Sequence, residues 1–334
     1  MNKYYKISKE DWDKSLLNLF SEFDIYAPVE YGESQDYELI DNDLIKDIVY
    51  NRPKPATPLK TFFQPIVENV VNYKAPEKER VVMGVPSCDL TAANIQDEMY
   101  LDRDYEDPAY KKNRDNTILI GTDCQSTQEH CHCTTYGVNP YPESNQDLTL
   151  TLLDNFIYLH TNSVKGDDFI GKLEKFSNIL EPTENEIQTL IDNRKKIVDE
   201  LNEKNSGLPD YKKTGELIED SGEEIWKKYA DTCVSCGACA TICPTCTCFL
   251  LLEKHGFEKV RHLDACQYPG FEKVAAGEDP LKPLFKRFYN RYMCKYVWKP
   301  VKFESIACTG CGRCIEACIG NINKNELFME LMNK

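Results

Sequence analysis

Residues 233–249 read CVSCGACATICPTCTCF, six cysteines in seventeen positions, and a second run, CTGCGRCIEAC, occupies residues 308–318. Each holds C-x2-C-x2-C-x3-C, the bacterial-ferredoxin spacing for a [4Fe–4S] cluster. Three thiolates separated by two residues sit on a curling loop whose free amide hydrogens can face the cluster sulfides. Gly237, Gly310 and Gly312 let that backbone come close. In two-cluster ferredoxins the fourth cysteine of each run serves the other cluster. Cys233, Cys236, Cys239 and Cys318 are therefore expected to hold one cluster, and Cys308, Cys311, Cys314 and Cys243 the second. Pro244 follows the first run, whereas Ile319 stands where a proline is usual after the second. Zinc also uses C-x2-C, but a zinc ribbon is built from two such pairs rather than two full runs of four.

The bulk composition narrows the setting. Of 334 residues, 41% are hydrophobic and 28% charged, which is ordinary globular material with room for two domains. No apolar run approaches the roughly 18 residues that cross a bilayer, and the N-terminus lacks a secretory pattern; a cytoplasmic protein without membrane insertion is expected. The net charge of −15 argues against nucleic acid as a partner. Sixteen cysteines in such a chain point to metal rather than disulfides, and to an anaerobic host.

The pattern predicts an α+β protein. An N-terminal α/β domain over residues 1–165 is followed by a helical bridge, 166–225, and a mostly helical ferredoxin-type domain, 226–334. VVMGV, residues 81–85, and TILIG, 117–121, read as strands around a helical LTAANIQDEMYL that Asp89 would cap. That strand–helix–strand order makes the two strands parallel. Residues 51–65, NRPKPATPLKTFFQP, read as a proline-rich crossing. One long amphipathic helix is expected from about Pro283 to Lys299, with Phe285, Phe288, Tyr289, Tyr292, Met293 and Tyr296 at helical spacing.

Eight cysteines remain. Cys88 and Cys124 each lie three residues past a strand, so both thiols should emerge at the carboxyl edge of the sheet, where open α/β sheets place their sites. With Cys131 and Cys133 of EHCHC they form a candidate third site, while His130 and His132 keep a mixed Cys/His zinc or [2Fe–2S] site in view. Cys246, Cys248, Cys266 and Cys294 form a candidate fourth. The helix around Cys294 carries Lys286, Arg287, Arg291, Lys295 and Lys299, which would offset an anionic cluster; the plain alternative is a solvated face with an incidental thiol. Two [4Fe–4S] clusters, and up to two further iron–sulfur clusters, are thus expected.

GVPSCDLTAANIQDEMYL, GTDCQSTQEHCHCTTYG, CVSCGACATICPTCTCF, ACQYPGFEKVAAG and CTGCGRCIEAC together resemble the family that includes the A subunit of anaerobic sulfite reductase and the beta subunit of cytoplasmic sulfhydrogenases. The resemblance runs over most of the chain. In that family the position of Cys294 is often histidine before lysine. The resemblance implies an iron–sulfur subunit that carries electrons between a flavin/NAD(P)H-binding subunit or ferredoxin and a separate catalytic oxidoreductase subunit. No G-x-G-x-x-G follows a strand and no P-loop is present, so no complete active site is expected on this chain. Two other readings stay open: a flavin-containing subunit that reduces a soluble carrier, and a zinc-stapled docking subunit without redox duty. Sulfite, protons, polysulfide or a heterodisulfide would each suit as terminal acceptor.

Overall fold

Val81 and Met83 point to one side of their strand, Val82 and Val85 to the other, and all four are buried. A strand apolar on both faces needs cover on both. The computed structural model, which describes residues 3–71, 73–74 and 76–333, supplies it. Eight strands precede the cysteine runs: β1 (Tyr4–Ser8), β2 (Phe23–Tyr31), β3 (Ser34–Leu39), β4 (Val67–Asn69), β5 (Glu79–Pro86), β6 (Thr117–Thr122), β7 (Leu148–Leu153) and β8 (Phe156–Thr161). Seven of them form one sheet in the order β1-β8-β7-β6-β5-β2-β3. β2, β5, β6 and β7 run parallel, and the outer pairs are antiparallel. A bulge at Gly84 shifts the β5–β6 register. Gly84 has φ +70°, and a Cβ there would lie 2.7 Å from the Pro28 ring.

One face packs on the helices Lys9–Leu19 and Val164–Leu173 through Trp12, Leu16, Ile25, Phe169 and Leu173. The other packs on Ser87–Tyr100 and Pro108–Asp115 through Leu90, Tyr100 and Tyr110. Asp89 is not the cap expected of it. The helix begins at Ser87 with Pro86 as its cap residue, which puts Asp89 inside the first turn. Its carboxylate instead accepts from the Leu59 amide at 3.0 Å.

The C-terminal region is helical, so the chain as a whole is α+β. Tyr211–Glu219, Glu223–Ala230, Leu284–Met293 and Lys324–Met332 enclose a core of Trp226, Phe288, Tyr292, Tyr296, Leu327 and Phe328. Two elements depart from expectation. β9 (Phe249–Lys254) and β10 (Glu258–Leu263) form a hairpin, and β10 pairs with β4 of the N-terminal region. The long helix is not α-helical throughout: Leu284–Met293 passes at Cys294 into a π-helical stretch, Cys294–Trp298, before Lys299–Phe303. Such π segments frequently mark functional sites.

The helix Glu184–Lys204 starts with a capping box between Thr183 and Glu186. Glu186 also accepts from Lys6 of β1 and, at 2.8 Å, from Tyr158 of β8, which pins the helix to the sheet edge. The hydrogen bond from Lys6, followed by that from the Thr183 amide, lowers the Glu186 carboxyl from its usual 4.5 to about 2. A depressed folded-state pKa contributes stability above the unfolded value that is lost as pH falls through the folded one. Glu186→Gln should therefore flatten the decline in unfolding free energy between pH 4.5 and about 2, read by denaturant titration at several pH values. An equally steep acid limb in the variant would assign that loss elsewhere.

Candidate metal centres

The sixteen thiols are free and gather in four places. Cys233, Cys236, Cys239 and Cys318 line one cavity, backed by Phe288 and Tyr292, and Cys236 is exposed at its mouth. Cys308, Cys311, Cys314 and Cys243 lie deeper: Cys243 and Cys314 act electrostatically on Cys311, and Cys308 and Cys243 on Cys314. Burial pushes the Cys311 thiol up to about 12. Cys88, Cys124, Cys131 and Cys133 line a third cavity at the carboxyl edge of β5 and β6. Cys246, Cys248, Cys266 and Cys294 line a fourth, of about 270 Å³. All four groups of cysteines read from the sequence are brought together, the last from segments up to 48 positions apart.

Local structure explains the convergence. Gly237 and Gly312 adopt left-handed φ of +71° and +81° and cap the short helices that carry Cys239 and Cys314. Gly310 and Gly312 have no room for side chains: a Cβ would lie 2.4 Å from the His132 carbonyl oxygen and 2.5 Å from that of His130. The second cysteine loop therefore packs directly on EHCHC, and the His132 amide donates to the Gly310 carbonyl at 2.9 Å. The Glu184–Lys204 helix closes the third cavity with Leu201, while Arg194 holds Asp123 at 2.8 and 3.0 Å. In the fourth, the last pair of the β9–β10 hairpin, Phe249 and Leu263, brings the flanking Cys248 and Cys266 together.

His132 is fully buried, and both ring nitrogens are engaged. Nδ1 lies 2.8 Å from the His130 carbonyl and Nε2 2.7 Å from Lys324 Nζ. A lysine can only donate, so Nε2 accepts and Nδ1 carries the proton. Burial, reinforced by Lys324, drives the His132 pKa well down. His132 supports the loop and leaves the thiols as the donor set.

The electrostatics are unusual for an interior. Lys54, Lys60, Arg287, Arg291, Lys295, Arg313 and Lys324 are all buried beside these cysteines. Lys295 Nζ lies 2.9 Å from Cys243 Sγ and 2.7 Å from Thr245 Oγ1. Lys54 Nζ is 3.9 Å from Cys131 Sγ and 2.8 Å from Glu316. Lys60 donates to the carbonyls of Ala240 and Cys246, and Arg291 to that of Cys239. Among the described residues, only Lys54 and Arg313 of these seven form a salt bridge with a carboxylate. Burying an unpaired cation costs several kcal/mol, so the surroundings call for anions. Thiolates around iron–sulfur clusters are anionic, and the donors fit. The Arg291 Nε, Gln267 Nε2 and Thr309 Oγ1 atoms are buried without a partner beside the cysteines, where cluster sulfur would accept from them. Cys248 is lowered to about 6 by a hydrogen bond from Cys266, and Cys243 is lowered by one from Cys246, then by Lys295. The thiols ring cavities rather than close on a point: among the described residues no three His, Cys, Asp or Glu gather tightly enough for a single ion.

Residues 232–322 match the family model described as a 4Fe-4S dicluster domain. Over 341 aligned residues, 98% of each chain, the protein is 28% identical to Sulfhydrogenase 2 subunit beta of Pyrococcus furiosus. The chain is thus similar along its whole length to a sulfhydrogenase beta subunit, and its C-terminal region carries the dicluster domain. The dicluster-domain match supports [4Fe–4S] as the cluster type of the two cysteine runs. Among the described residues no helix is long and apolar enough to cross a membrane.

Several supporting residues escaped the sequence reading. Lys54 and Lys60 lie in the proline-rich crossing, and Arg313 lies between Cys311 and Cys314 of the second run. Arg313 makes a bidentate pair with Asp89, at 2.5 and 2.9 Å, and donates to the Pro55 carbonyl at 2.9 Å. Both partners are essentially inaccessible. The pair ties the second cysteine loop to the sheet region. Breaking a buried pair from one side costs about 3–5 kcal/mol, while replacing both partners costs far less. Arg313→Leu and Asp89→Leu should each lower the unfolding free energy by that amount, with the double variant recovering most of it. Additive losses in a denaturant-based double-mutant cycle would count against the pair as the tie.

Proposed function

We propose that this chain is the multi-cluster electron-transfer subunit of an anaerobic, cytoplasmic oxidoreductase complex. It would hold four iron–sulfur clusters and pass electrons between a flavoprotein or ferredoxin and a separate catalytic subunit. The observation that carries the reading is the convergence of sixteen cysteines into four sets of four, each bordered by buried cations. An iron–sulfur cluster supplies one-electron storage, and the surrounding amides, cations and burial tune its potential.

In this reading Cys233, Cys236, Cys239 and Cys318 hold the first cluster, and Cys308, Cys311, Cys314 and Cys243 the second. Cys88, Cys124, Cys131 and Cys133 hold the third, at the sheet edge where a flavin-bearing alternative would have placed its ligand. Cys246, Cys248, Cys266 and Cys294 hold the fourth. The relative's printed name, a sulfhydrogenase subunit, supports a partner that handles hydrogen or sulfur as the catalytic chain.

Iron and acid-labile sulfide on anaerobically purified chain are the direct test. Four filled cubes give about 16 irons, whereas a ferredoxin pair alone gives about 8. Cys124→Ser and Cys266→Ser should each lose about four irons and leave the ferredoxin-run signals in place. Zinc in all sites, without reducible visible absorbance, would refute the redox role.

A further inference from the structure

The four thiol sets are not strung in a row. Cys311 of the second set lines the cavity of Cys88, Cys124, Cys131 and Cys133. Cys314 lines the cavity of Cys233, Cys236, Cys239 and Cys318. Cys243 adjoins Cys246 of the fourth set, whose backbone amide donates to the Cys243 carbonyl at 3.3 Å. Three cysteines of one set thus face three different neighbours. The remaining member, Cys308, is walled in by Tyr136, Tyr211 and Tyr296.

No cysteine of an outer set lines another outer set's cavity; the first and fourth share only Arg291. A buried cation stands on each approach. Lys54 and Arg313 act on Cys311 and on the third set, through Cys131 and Cys88 respectively. Arg291 acts on Cys239 and Cys314, and Lys295 on Cys243 and Cys246. Each outer set also has its own way out: exposed Cys236 at the first, Ser126 and Thr127 at the third, and the wide opening beside Phe249 and Phe271 at the fourth.

We propose that the set Cys308, Cys311, Cys314 and Cys243 is a junction joining three outer sets, so that the chain serves three redox partner surfaces rather than the two ends of a wire. This rests on the four-cluster reading above. An electron entering from a reduced flavoprotein or ferredoxin at one rim leaves to an oxidised partner at either of the other two. No bond forms or breaks, and the electron count balances for each pair of partners.

The test uses the full chain, anaerobically purified with its clusters, and three variants that each empty one outer set: Cys236→Ser, Cys266→Ser and Cys124→Ser. Iron and sulfide content first establish the loading. A wild type with only the ferredoxin pair filled overturns the four-cluster reading and the junction with it. With four sets loaded, low-temperature paramagnetic resonance during stepwise reduction addresses connectivity alone. The junction signal should show magnetic coupling to three neighbours in the wild type and two in each variant. In rapid freeze-quench, the three remaining clusters should still share electrons in every variant. A variant in which one intact outer cluster drops out of that exchange means a linear order and overturns the junction.

Should a cysteine variant fail to load its other sets, the approach cations give the same answer. Lys295→Met should shift only the junction and fourth-set signals to lower potential, and Lys54→Met only the junction and third-set signals. Removing a cation a few ångströms away should change the reduced fraction at fixed potential by about tenfold or more. A shift confined to one cluster, or shared by all four, overturns the branched arrangement.

Discussion

The constraint that the rest of this structure answers to is positive charge in a buried place. Among the described residues, eight basic and four acidic side chains are buried, although the chain as a whole carries −15. Lysine and arginine are almost never fully buried unless paired. Here Arg261 has Glu68 and Asp107, and Arg313 has Asp89, but most of the others have carbonyls, hydroxyls and thiols. Hydrogen bonds to neutral dipoles orient a lysine without cancelling its charge. The negative partner has to be the thiolate-held cluster, and the fold is organised to keep such groups next to these cations.

That requirement also explains how the two regions are joined. Lys54 and Lys60 come from the crossing between β3 and β4, and Asp89 from the first turn of a helix on the sheet, yet all three reach cysteine loops more than 150 positions away. The missing side chains of Gly310 and Gly312 matter as much, because they let the second cysteine loop lie against the backbone of His130–Cys133. Either region alone would expose half-built cavities and unmatched charge. Cations and carboxylates cross between the regions: Lys60 meets the Ala240 and Cys246 carbonyls, and Arg313 of the second cysteine loop pairs with Asp89.

Much of this was readable from residue order. Ferredoxin spacing depends on local loop geometry, so two runs of four cysteines are visible without a fold. The parallel β5 and β6 followed from a strand–helix–strand pattern, and their carboxyl edge placed Cys88 and Cys124 together. What was hidden is long-range. Nothing near Lys54 says that it faces Cys131, since the contact depends on the path of a proline-stiffened crossing. Asp89 was given a capping role because it precedes an apolar helical stretch, but a tertiary partner, Arg313, claimed the carboxylate and the helix began three residues earlier. The turn from α to π at Cys294 was likewise hidden, in a stretch where Met293, Lys295 and Tyr296 are all buried.

The same charge separation bears on how the protein meets others. With its buried ionisable groups biased positive, the exposed surface is more negative than the whole-chain figure suggests. At physiological salt, fields between exposed charges fade over about 8 Å, so steering acts at close approach. Small anions and strongly acidic proteins are repelled from such a surface, and a second copy of this chain is repelled as well. A partner that reaches the exposed Cys236 loop or the apolar rim of Phe249 and Phe271 must then be neutral or basic over its contact area, or must seat enough apolar surface to outweigh the repulsion. Leu250, Leu251 and Leu252, left partly exposed on β9 next to Phe249, offer apolar area of that kind at one rim.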